Sequence, residues 1–369
     1  MCGMLLADLG ASVLRIDRVE PSGLGVERPI DYNLIMRSRD TIALDLKRRD
    51  AIDLVLQLVG RADVLIEGFR PGVTERLGLG PADCFVVNPA LIYGRVTGWG
   101  QEGPLAKSAG HDLNYIAITG ALAAIGRAGA LPTPPLNIVG DFAGGGLFLA
   151  FGILAAVIEA RRSGVGQVVD AGIVDGVATM MMQFFGMKAA GLWTDKRGDN
   201  ILDSGAPFYD VYACADGRLI SVAAIEDKFF LELARLLEIP ESTLALKRDK
   251  RRWGELRGIL AARFASKPQH AWQTLLENTD ACFAPVLSMH EAKEHPHLRS
   301  RETLIDVAGV LQPAPAPRFS RTIPDTPRPP RAHDPSDYEA ILKRWLPQAD
   351  VATALDVLNA AMPEAGSVR

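Results

Sequence analysis

The sequence contains few residues of the kinds that bind transition metals or form disulfides. It has four cysteines and six histidines in 369 residues, and no CxxC pair occurs among the scattered cysteines. This pattern argues against both a zinc site and a disulfide framework. We therefore expect a chain without a structural metal, in a reducing compartment that we take to be the cytoplasm.

Clusters of one charge sign and nucleotide-binding motifs are also missing. Basic and acidic residues are interspersed, and the net charge is −4, so no nucleic-acid surface is indicated. Neither a GxGxxG nor a Walker A sequence occurs, which disfavours nicotinamide and ATP as cofactors. The uncharged run at residues 142–158 is about as long as the shortest membrane span. Its glycines and the charges that follow it favour a buried helix, so no membrane partner is expected.

The first half of the chain alternates between strand-like and helix-like segments. Residues 50–59 have apolar side chains at helical spacing. Short apolar runs rich in β-branched residues occur at 12–16, 41–44, 62–66, 91–96 and 167–170. This alternation predicts an α/β fold with a mostly parallel sheet covered by helices.

The composition changes after about residue 172, and the length suits two domains. A Met-rich helical segment comes first, then a smaller unit with a predicted hairpin, and then a proline-rich extended strap at residues 311–336. The predicted organisation is a large domain from 1–172, a helical linker at 173–204, a small domain at 205–295, a return segment at 296–348 and a tail at 349–369.

One imidazole and one carboxylate are the main candidates for chemistry. His111, the only histidine before His270, and Asp141 each lie on a turn flanked by glycine. A neutral imidazole suits a general base near neutral pH, and a positioned base typically contributes about 100- to 10,000-fold. A carboxylate can return a proton if its pKa is raised. The pair could therefore remove a proton from one face of a carbon and replace it on the other.

Four cations follow predicted strand ends and could bind phosphate groups. They are Arg18, Lys47, Arg70 and Arg76. Each alone is more often a solvated surface charge, but their clustering near adjacent strand ends indicates a phosphate site.

A series of short stretches, spread from residue 7 to about 320, carries residues typical of one family. They are Ala7–Ala11, Arg15–Arg18, Ala43–Lys47, Val64–Val73, Gly110–Tyr115, Asn137–Gly146, Gly205–Tyr209, Ala224–Glu226 and Thr279–Cys282. In these stretches the chain resembles the α-methylacyl-CoA racemase branch of the class III CoA-transferase (CaiB/BaiF-like) family. The resemblance implies a Rossmann-like large domain, an inserted smaller α+β domain and an interlocked homodimer.

The resemblance also implies an activity and roles for individual residues. His111 and Asp141 match the acid/base pair that epimerises 2-methylacyl-CoA thioesters through an enolate, with no cofactor beyond the CoA of the substrate. Glu226 matches a carboxylate that supports the site, although by itself it reads as an exposed charge at a helix start. Asn137 matches a neighbouring polar residue. The predicted contacts with CoA and its thioester are Arg18, Leu44, Asp45, Leu46, Lys47, Arg70, Arg76, Gly110, Asp112, Leu113, Asn114 and Tyr115.

Two other functions remain open at this point. CoA-transferases of the same family use the aspartate that matches Asp141 as a nucleophile, but His111 in the Gly-His-Asp motif favours the racemase. Relatives also carry a strand and a Gly/Pro-rich turn before the stretch matched by Cys2–Leu6, about twenty residues by the usual size of such elements. An N-terminally truncated, inactive CoA-binding relative is therefore the third alternative.

Overall fold

The computed structural model describes residues 1–20, 23 and 25–361. Its strands, in chain order, are β1 (Leu14–Asp17), β2 (Asp40–Ala43), β3 (Val64–Glu67), β4 (Ile92–Thr97), β5 (Gln167–Gly172), β6 (Tyr209–Ala213), β7 (Leu219–Ala223), β8 (Phe283–Pro285), β9 (Leu304–Val307) and β10 (Val310–Pro313).

The helices surround and connect these strands. The α-helices are α1 (Cys2–Asp8), α2 (Arg49–Val59), α3 (Val73–Leu77), α4 (Pro81–Val87), α5 (Asp112–Ala117), α6 (Ala121–Ala124), α7 (Phe148–Ser163), α8 (Ile173–Met180), α9 (Met182–Ala189), α10 (Asp227–Leu236), α11 (Thr243–Arg248), α12 (Trp253–Phe264), α13 (Gln269–Leu276), α14 (Met289–Ala292), α15 (Pro296–Ser300), α16 (Tyr338–Trp345) and α17 (Gln348–Ala361). A π-helix covers Ile138–Leu147, and 3-10 turns cover Ile30–Tyr32, Leu34–Met36, Lys250–Arg252 and Pro335–Asp337.

The chain divides into two compact units. The first contains Met1–Ile116, Asn137–Thr179 and the described residues from Glu302 onwards, and the second contains Ala117–Leu136 and Met180–Arg301.

Residues 117–136, which the sequence places in the large domain, therefore belong to the second unit. Side chains from later in the chain hold this segment there. Arg197 donates hydrogen bonds to the carbonyls of Ala123, at 2.7 Å, and Ala130, while Arg127 pairs with Asp210.

Strands β1 to β5 of the first unit are parallel, as the alternating pattern predicts, whereas β9 and β10 of the same unit pair antiparallel. β1 pairs with β2 from Leu14↔Asp40 to Asp17↔Ala43. A second sheet has the order β3-β4-β5, in which Val64 lies opposite Ile92 and Thr97 lies opposite Gly172. Parallel strands align their carboxyl ends at one edge of a sheet, where α/β proteins usually place their ligands. The α/β fold class is thus confirmed.

The core of the first unit extends into the predicted C-terminal tail. Val351, Ala354 and Leu358 of α17 are buried in the same cluster as α2, β2 and Tyr93. The segment from residue 349 is therefore part of the core as far as α17 reaches, because its apolar side chains recur on one face of a helix. Residues 362–369 of the predicted tail lie outside the described residues.

The proline-rich return segment forms a paired strand over its first residues only. β10 pairs antiparallel with β9 up to Pro313↔Leu304. Among the described residues, no further helix or strand occurs until the 3-10 turn at Pro335. Proline lacks the amide donor that a helix or a sheet ladder requires, which accounts for this gap.

The second unit contains an antiparallel sheet with the order β6-β7-β8. The β6–β7 hairpin turns at Asp216 and Gly217, where Gly217 adopts a φ of 76°. Glycine suits this left-handed conformation because it has no Cβ. Helices α10, α12 and α13 cover the sheet and bury Phe230, Leu260 and Trp272.

The predicted helix at residues 142–158 is longer than expected and begins irregularly. The π-helix runs directly into α7, and the continuous stretch Ile138–Ser163 is long and apolar enough to cross a membrane by length and composition. Of its most apolar window, 39% is buried inside the protein. A core helix of a soluble protein passes the same test, so the stretch is weak evidence for a span.

Candidate active site

The turn that carries His111 is held by its own polar groups. The Asn114 side chain accepts a hydrogen bond from the His111 backbone N–H at 3.1 Å. The His111 carbonyl accepts from the N–H groups of Asn114, at 2.8 Å, and Tyr115, at 3.2 Å. These bonds start α5 and leave the imidazole exposed. The predicted motif is thus a capped turn that presents its histidine to solvent.

Two aromatic rings fix the approach to this turn. Trp99 and Tyr115 pack edge to face with ring centroids 4.8 Å apart, and the Tyr115 hydroxyl donates to the Gly110 carbonyl. A Cβ at Gly98 would lie 2.0 Å from the Tyr115 ring, and one at Gly110 would lie 2.8 Å from it. Glycine is needed at both positions because the tyrosine ring occupies the space of a side chain.

Asp112 joins this turn to the segment that carries Asp141. Its Oδ2 accepts a hydrogen bond from the Asp141 backbone N–H at 2.7 Å, across 29 residues of sequence. A Cβ at Gly140 would lie 2.3 Å from the same oxygen. The glycine before Asp141 therefore makes room for the contact, which brings the two predicted acid/base residues into one site.

Asp141 lies in the π-helix Ile138–Leu147, which the sequence analysis missed. Such segments are rare and often occur at functional sites. Glycines allow this one to pack closely: a Cβ at Gly144 would lie 2.7 Å from the Val177 side chain, and one at Gly176 would lie 2.0 Å from the Gly144 carbonyl oxygen. The glycine run after Asp141 thus packs against α8.

The surroundings of Asp141 favour its protonated form. Burial raises the pKa of the Asp141 carboxyl, and the charge of Asp112 adds to this effect. A hydrogen bond from Asn137 Nδ2 at 3.3 Å and the proximity of His111 oppose it without reversing it. Burial and Asp141 likewise raise the pKa of Tyr115, against the charge of Arg70. Arg70 therefore lies near the same site.

The other predicted ligand residues of the first unit follow the carboxyl ends of parallel strands. Arg18 follows β1, and Leu44 follows β2, where its N–H donates to the Asp17 carbonyl at 2.9 Å. Arg18 and Lys47 are exposed, whereas the Leu44 side chain is buried in the core. At Leu44 only the backbone is thus left for a ligand.

The loop that carries Arg70 has a buried support that the sequence analysis did not identify. The Glu67 carboxylate accepts from the Phe69 N–H and from Arg95 Nε, both at 2.6 Å. Arg95 also donates to Thr74 at 3.2 Å and pairs with Glu75 at 2.8 Å. A Glu at one strand end and an Arg on the next strand give too weak a sequence signal to reveal this network.

The remaining predicted residues occupy simpler positions. Arg76 is exposed on α3, Asp45 accepts from the Lys47 N–H at 3.0 Å, Leu46 packs at the edge of the core, and Leu113 is exposed on α5. Among the described residues, no group of three or more His, Cys, Asp or Glu could hold a metal ion.

Glu226 belongs to the second unit and occupies the N-cap position of α10, without a capping hydrogen bond to its side chain among the described residues. Its side chain is exposed, while its neighbours are held by a buried lysine. Lys247 Nζ donates to the Ile225 carbonyl at 2.6 Å and to Asp227 at 2.7 Å. The turn around Glu226 is therefore fixed by residues of its own unit.

Comparisons with known proteins agree on one family. The sequence pattern of CoA-transferase family III matches residues 1–340. The α-methylacyl-CoA racemase of Mus musculus is 43% identical over 322 residues, which cover 87% of this chain and 82% of the mouse protein. The α-methylacyl-CoA racemase of Homo sapiens is 40% identical over 322 residues, with the same shares covered.

A solved structure supports the fold. The crystal structure of a CaiB/BaiF family protein from Brucella suis superimposes with a TM-score of 0.77, covers 94% of each chain and is 24% identical. The mixed α/β architecture is therefore shared. The resemblance found in the sequence is confirmed by the family match over most of the chain and by the two racemases at 43% and 40% identity. The chain therefore belongs to CoA-transferase family III.

Proposed function

We propose that the protein is an α-methylacyl-CoA racemase, an isomerase that epimerises 2-methylacyl-CoA thioesters. The names of the mouse and human relatives, at 43% and 40% identity, support this activity. The structural observation that carries the proposal is the 2.7 Å hydrogen bond that ties Asp141 to the residue after His111. It brings an exposed imidazole and a partly buried carboxyl to one site.

The proposed reaction is a proton exchange at the carbon next to the thioester. For one epimer, neutral His111 takes the α-proton, the electrons of the broken C–H bond form the enolate, and protonated Asp141 supplies a proton to the opposite face. For the other epimer the two residues exchange roles. Nothing is oxidised or reduced, so we propose that no cofactor is required beyond the CoA of the substrate.

The surroundings of Asp141 support its role as an acid. Its pKa is raised by burial and by Asp112. A carboxyl with a raised pKa holds a proton closer to neutral pH, as an acid catalyst requires. Asn137, which donates to Asp141 at 3.3 Å, is proposed to orient the carboxyl.

We propose that the exposed cations after the strand ends bind the phosphates of CoA. Arg18, Lys47, Arg70 and Arg76 are exposed, so their charged groups are available to a ligand. Arginine suits phosphate because its guanidinium offers several donors in one plane. We propose that the backbone of Leu44–Lys47 and the Gly110–Tyr115 turn contact the rest of the CoA thioester.

The proposal extends to assembly and location. We propose a Rossmann-like large domain, an inserted small domain and an interlocked homodimer that brings Glu226 to the site. Phe151, Leu154 and Ile158 on α7 are 72%, 50% and 71% exposed, and apolar patches of this kind are typical of interfaces. We also propose a cytoplasmic location, without nucleic-acid or membrane partners.

The test is α-proton exchange. A single epimer of a 2-methylacyl-CoA is incubated with the protein in D2O, and deuterium uptake and epimer ratio are followed together. We expect uptake with epimerisation in the natural protein, and loss of epimerisation in His111→Ala and in Asp141→Asn. His270→Ala, which removes an exposed histidine of the second unit, is the matched control and should leave the rate unchanged.

Other outcomes would point elsewhere. Transfer of CoA to an added carboxylic acid, without deuterium uptake, would identify a CoA-transferase that uses Asp141 as a nucleophile. If a folded protein catalyses neither reaction, both the racemase and the CoA-transferase functions are contradicted. The remaining alternative is then an inactive CoA-binding relative.

A further inference from the structure

We infer that Asp112 is a positioning residue, whose carboxylate holds the backbone of Asp141 in place and sets a negative charge beside the Asp141 carboxyl. The inference rests on the proposed function, because it concerns how Asp141 is prepared for proton transfer. It departs from the role that we expected for Asp112 from the sequence, a contact with CoA.

The Asp112 carboxylate lies in a buried environment. Asp112 is only 6% exposed, and its Oδ1 has no hydrogen-bond partner among the residues that the structure describes. A buried carboxylate with an unpartnered oxygen is costly, and such groups are rare unless they serve a purpose. Asp112 is therefore not placed as an ordinary solvated surface carboxylate.

Asp112 differs from an ordinary helix cap in the group that it contacts. Carboxylates are common in the first turn of a helix because they accept from that helix's own N–H groups. Asp112 begins α5, but its Oδ2 accepts from the N–H of Asp141 in the π-helix instead, at 2.7 Å. Its contact is thus directed at the proposed acid and not at its own helix.

The turn that carries Asp112 and the segment that carries Asp141 fit closely together at Gly140. A Cβ at Gly140 would lie 2.3 Å from Asp112 Oδ2 and 3.1 Å from Ile116 Cγ2. The residue before Asp141 therefore has to be glycine for the carboxylate to reach the backbone. Reacting groups that are displaced by about 1 Å can lose on the order of 100-fold in rate, so a bond that fixes this backbone matters for catalysis.

Asp112 also acts on Asp141 through its charge. The described charged or titratable groups that act on Asp141 and its neighbour Tyr115 are His111, Asp112 and Arg70, and Asn137 donates to Asp141 from the start of the same helix. Among them Asp112 is the negative charge, and it raises the pKa of Asp141 in the same direction as burial does. Removal of that charge should therefore lower the pKa of Asp141.

The test is a direct titration of Asp141 in Asp112→Asn. The amide keeps an oxygen that accepts from the Asp141 N–H but removes the charge. Protein labelled with ¹³C at its aspartate carboxyls is titrated by NMR, and the Asp141 signal is assigned by its loss in Asp141→Asn. We expect the Asp141 midpoint to move to lower pH in Asp112→Asn. Asp63→Asn, which removes an exposed charge before β3, is the control and should leave the midpoint unchanged.

Activity supplies the second readout. In Asp112→Asn, the acid limb of the pH profile should move to lower pH for the epimer whose proton Asp141 removes. Gly140→Ala, which displaces the Asp112 carboxylate and keeps both charges, should lower kcat by about 10- to 100-fold with less change in KM. If Asp112→Asn does not fold, Asp112→Ser replaces it in both measurements, because serine is small and keeps an oxygen that can accept a hydrogen bond.

The titration requires no turnover, so the inference and the proposed function can fail separately. An unchanged Asp141 midpoint and pH profile in a folded Asp112→Asn, or full kcat in Gly140→Ala, would overturn the inference. Absence of α-proton exchange in the natural protein would overturn the proposed function and leave the titration result standing.

Discussion

Arg95 donates through Nε to the Glu67 carboxylate at 2.6 Å, and the two side chains are only 7% and 4% exposed. The pair lies beneath the loop that carries Arg70, since Glu67 also accepts from the Phe69 N–H. Removal of one partner of a buried ion pair leaves an uncompensated charge. We expect Arg95→Met to lower the free energy of unfolding by about 3–5 kcal/mol, measured by urea denaturation.

Arg49→Met provides the control for this prediction. Arg49 also pairs with an aspartate in the first unit, at 2.9 Å, but its side chain is 78% exposed. Exposed pairs of this kind contribute about 0–1 kcal/mol. Equal losses of unfolding free energy in the two variants would show that the buried Glu67–Arg95 pair stabilises the protein no more than an exposed pair does.

The contact between the π-helix and α8 depends on Gly176. A Cβ at this position would lie 2.0 Å from the Gly144 carbonyl oxygen, so the two segments would have to separate. We expect Gly176→Ala to lower the free energy of unfolding by about 1–3 kcal/mol, as overpacking does. In α1, the nearest atom to a Cβ on Gly3 is 3.6 Å away, so Gly3→Ala should be neutral or stabilise by up to about 1 kcal/mol. Thermal or urea unfolding of both variants checks the difference.

Asp40 connects β2 to two arginines from the end of the chain. It accepts from Arg328 at 3.1 Å and from Arg344 at 2.7 Å. Burial alone would raise the pKa of Asp40, but these two arginines outweigh it and lower the pKa below 3.8. The unfolded chain therefore binds the proton more tightly, so this stabilisation is present above pH 3.8 and is lost as the pH falls through the native pKa.

We expect Asp40→Asn to destabilise the protein by about 1–2 kcal/mol at neutral pH. The difference from the natural protein should shrink as the pH falls below 3.8, because both proteins then carry a neutral group there. Denaturation curves across the acid range measure this convergence. A difference that stays constant with pH would mean that the arginines do not stabilise the charged form.

The contribution of Asp141 to stability should depend on pH in the opposite direction to that of Asp40. Its native pKa is raised above 3.8 by burial, so the native state binds the proton more tightly than the unfolded chain does. Ionisation of Asp141 therefore removes stability as the pH rises through this window. We expect Asp141→Asn to gain stability relative to the natural protein as the pH rises from 3.8 towards neutral. A relative loss of stability over the same range would contradict the raised pKa.

The sequence predicted the elements whose patterns are local. Strands β2 and β4 fall within one residue of the predicted runs at 41–44 and 91–96, and α2 falls within one residue of the predicted helical segment at 50–59. Each of these segments has an apolar period that its own residues define. The sequence also offered His111 and Asp141 as a pair, first from their glycine-flanked turns and then from the family resemblance.

The parts that the sequence did not reveal depend on distant contacts. The π-helix requires Gly144 and Gly176 to meet across two helices, and no period in the sequence encodes that approach. Residues 117–136 join the second unit because Arg197 reaches their carbonyls from later in the chain. Asp112 was noticed as part of a motif, but its bond to the Asp141 backbone exists only once both segments are folded.

Lys247 is expected to act on catalysis through the turn that carries Glu226. Its side chain is 7% exposed and donates to Ile225 and Asp227, the residues on either side of Glu226. If Glu226 supports the proton transfer as proposed, Lys247→Met should lower kcat by on the order of 10- to 100-fold by loosening this turn.

A double-mutant cycle separates this effect from general destabilisation. Lys247→Met should add little to the loss of kcat in Glu226→Gln, because both changes act through the same carboxylate. Arg248→Met is the matched control: Arg248 pairs with Asp227 at 2.6 Å, but its side chain is 64% exposed, so kcat should be nearly unchanged. Losses that multiply in the double variant would instead show that Lys247 and Glu226 act independently, and the turn would then have no part in positioning the carboxylate.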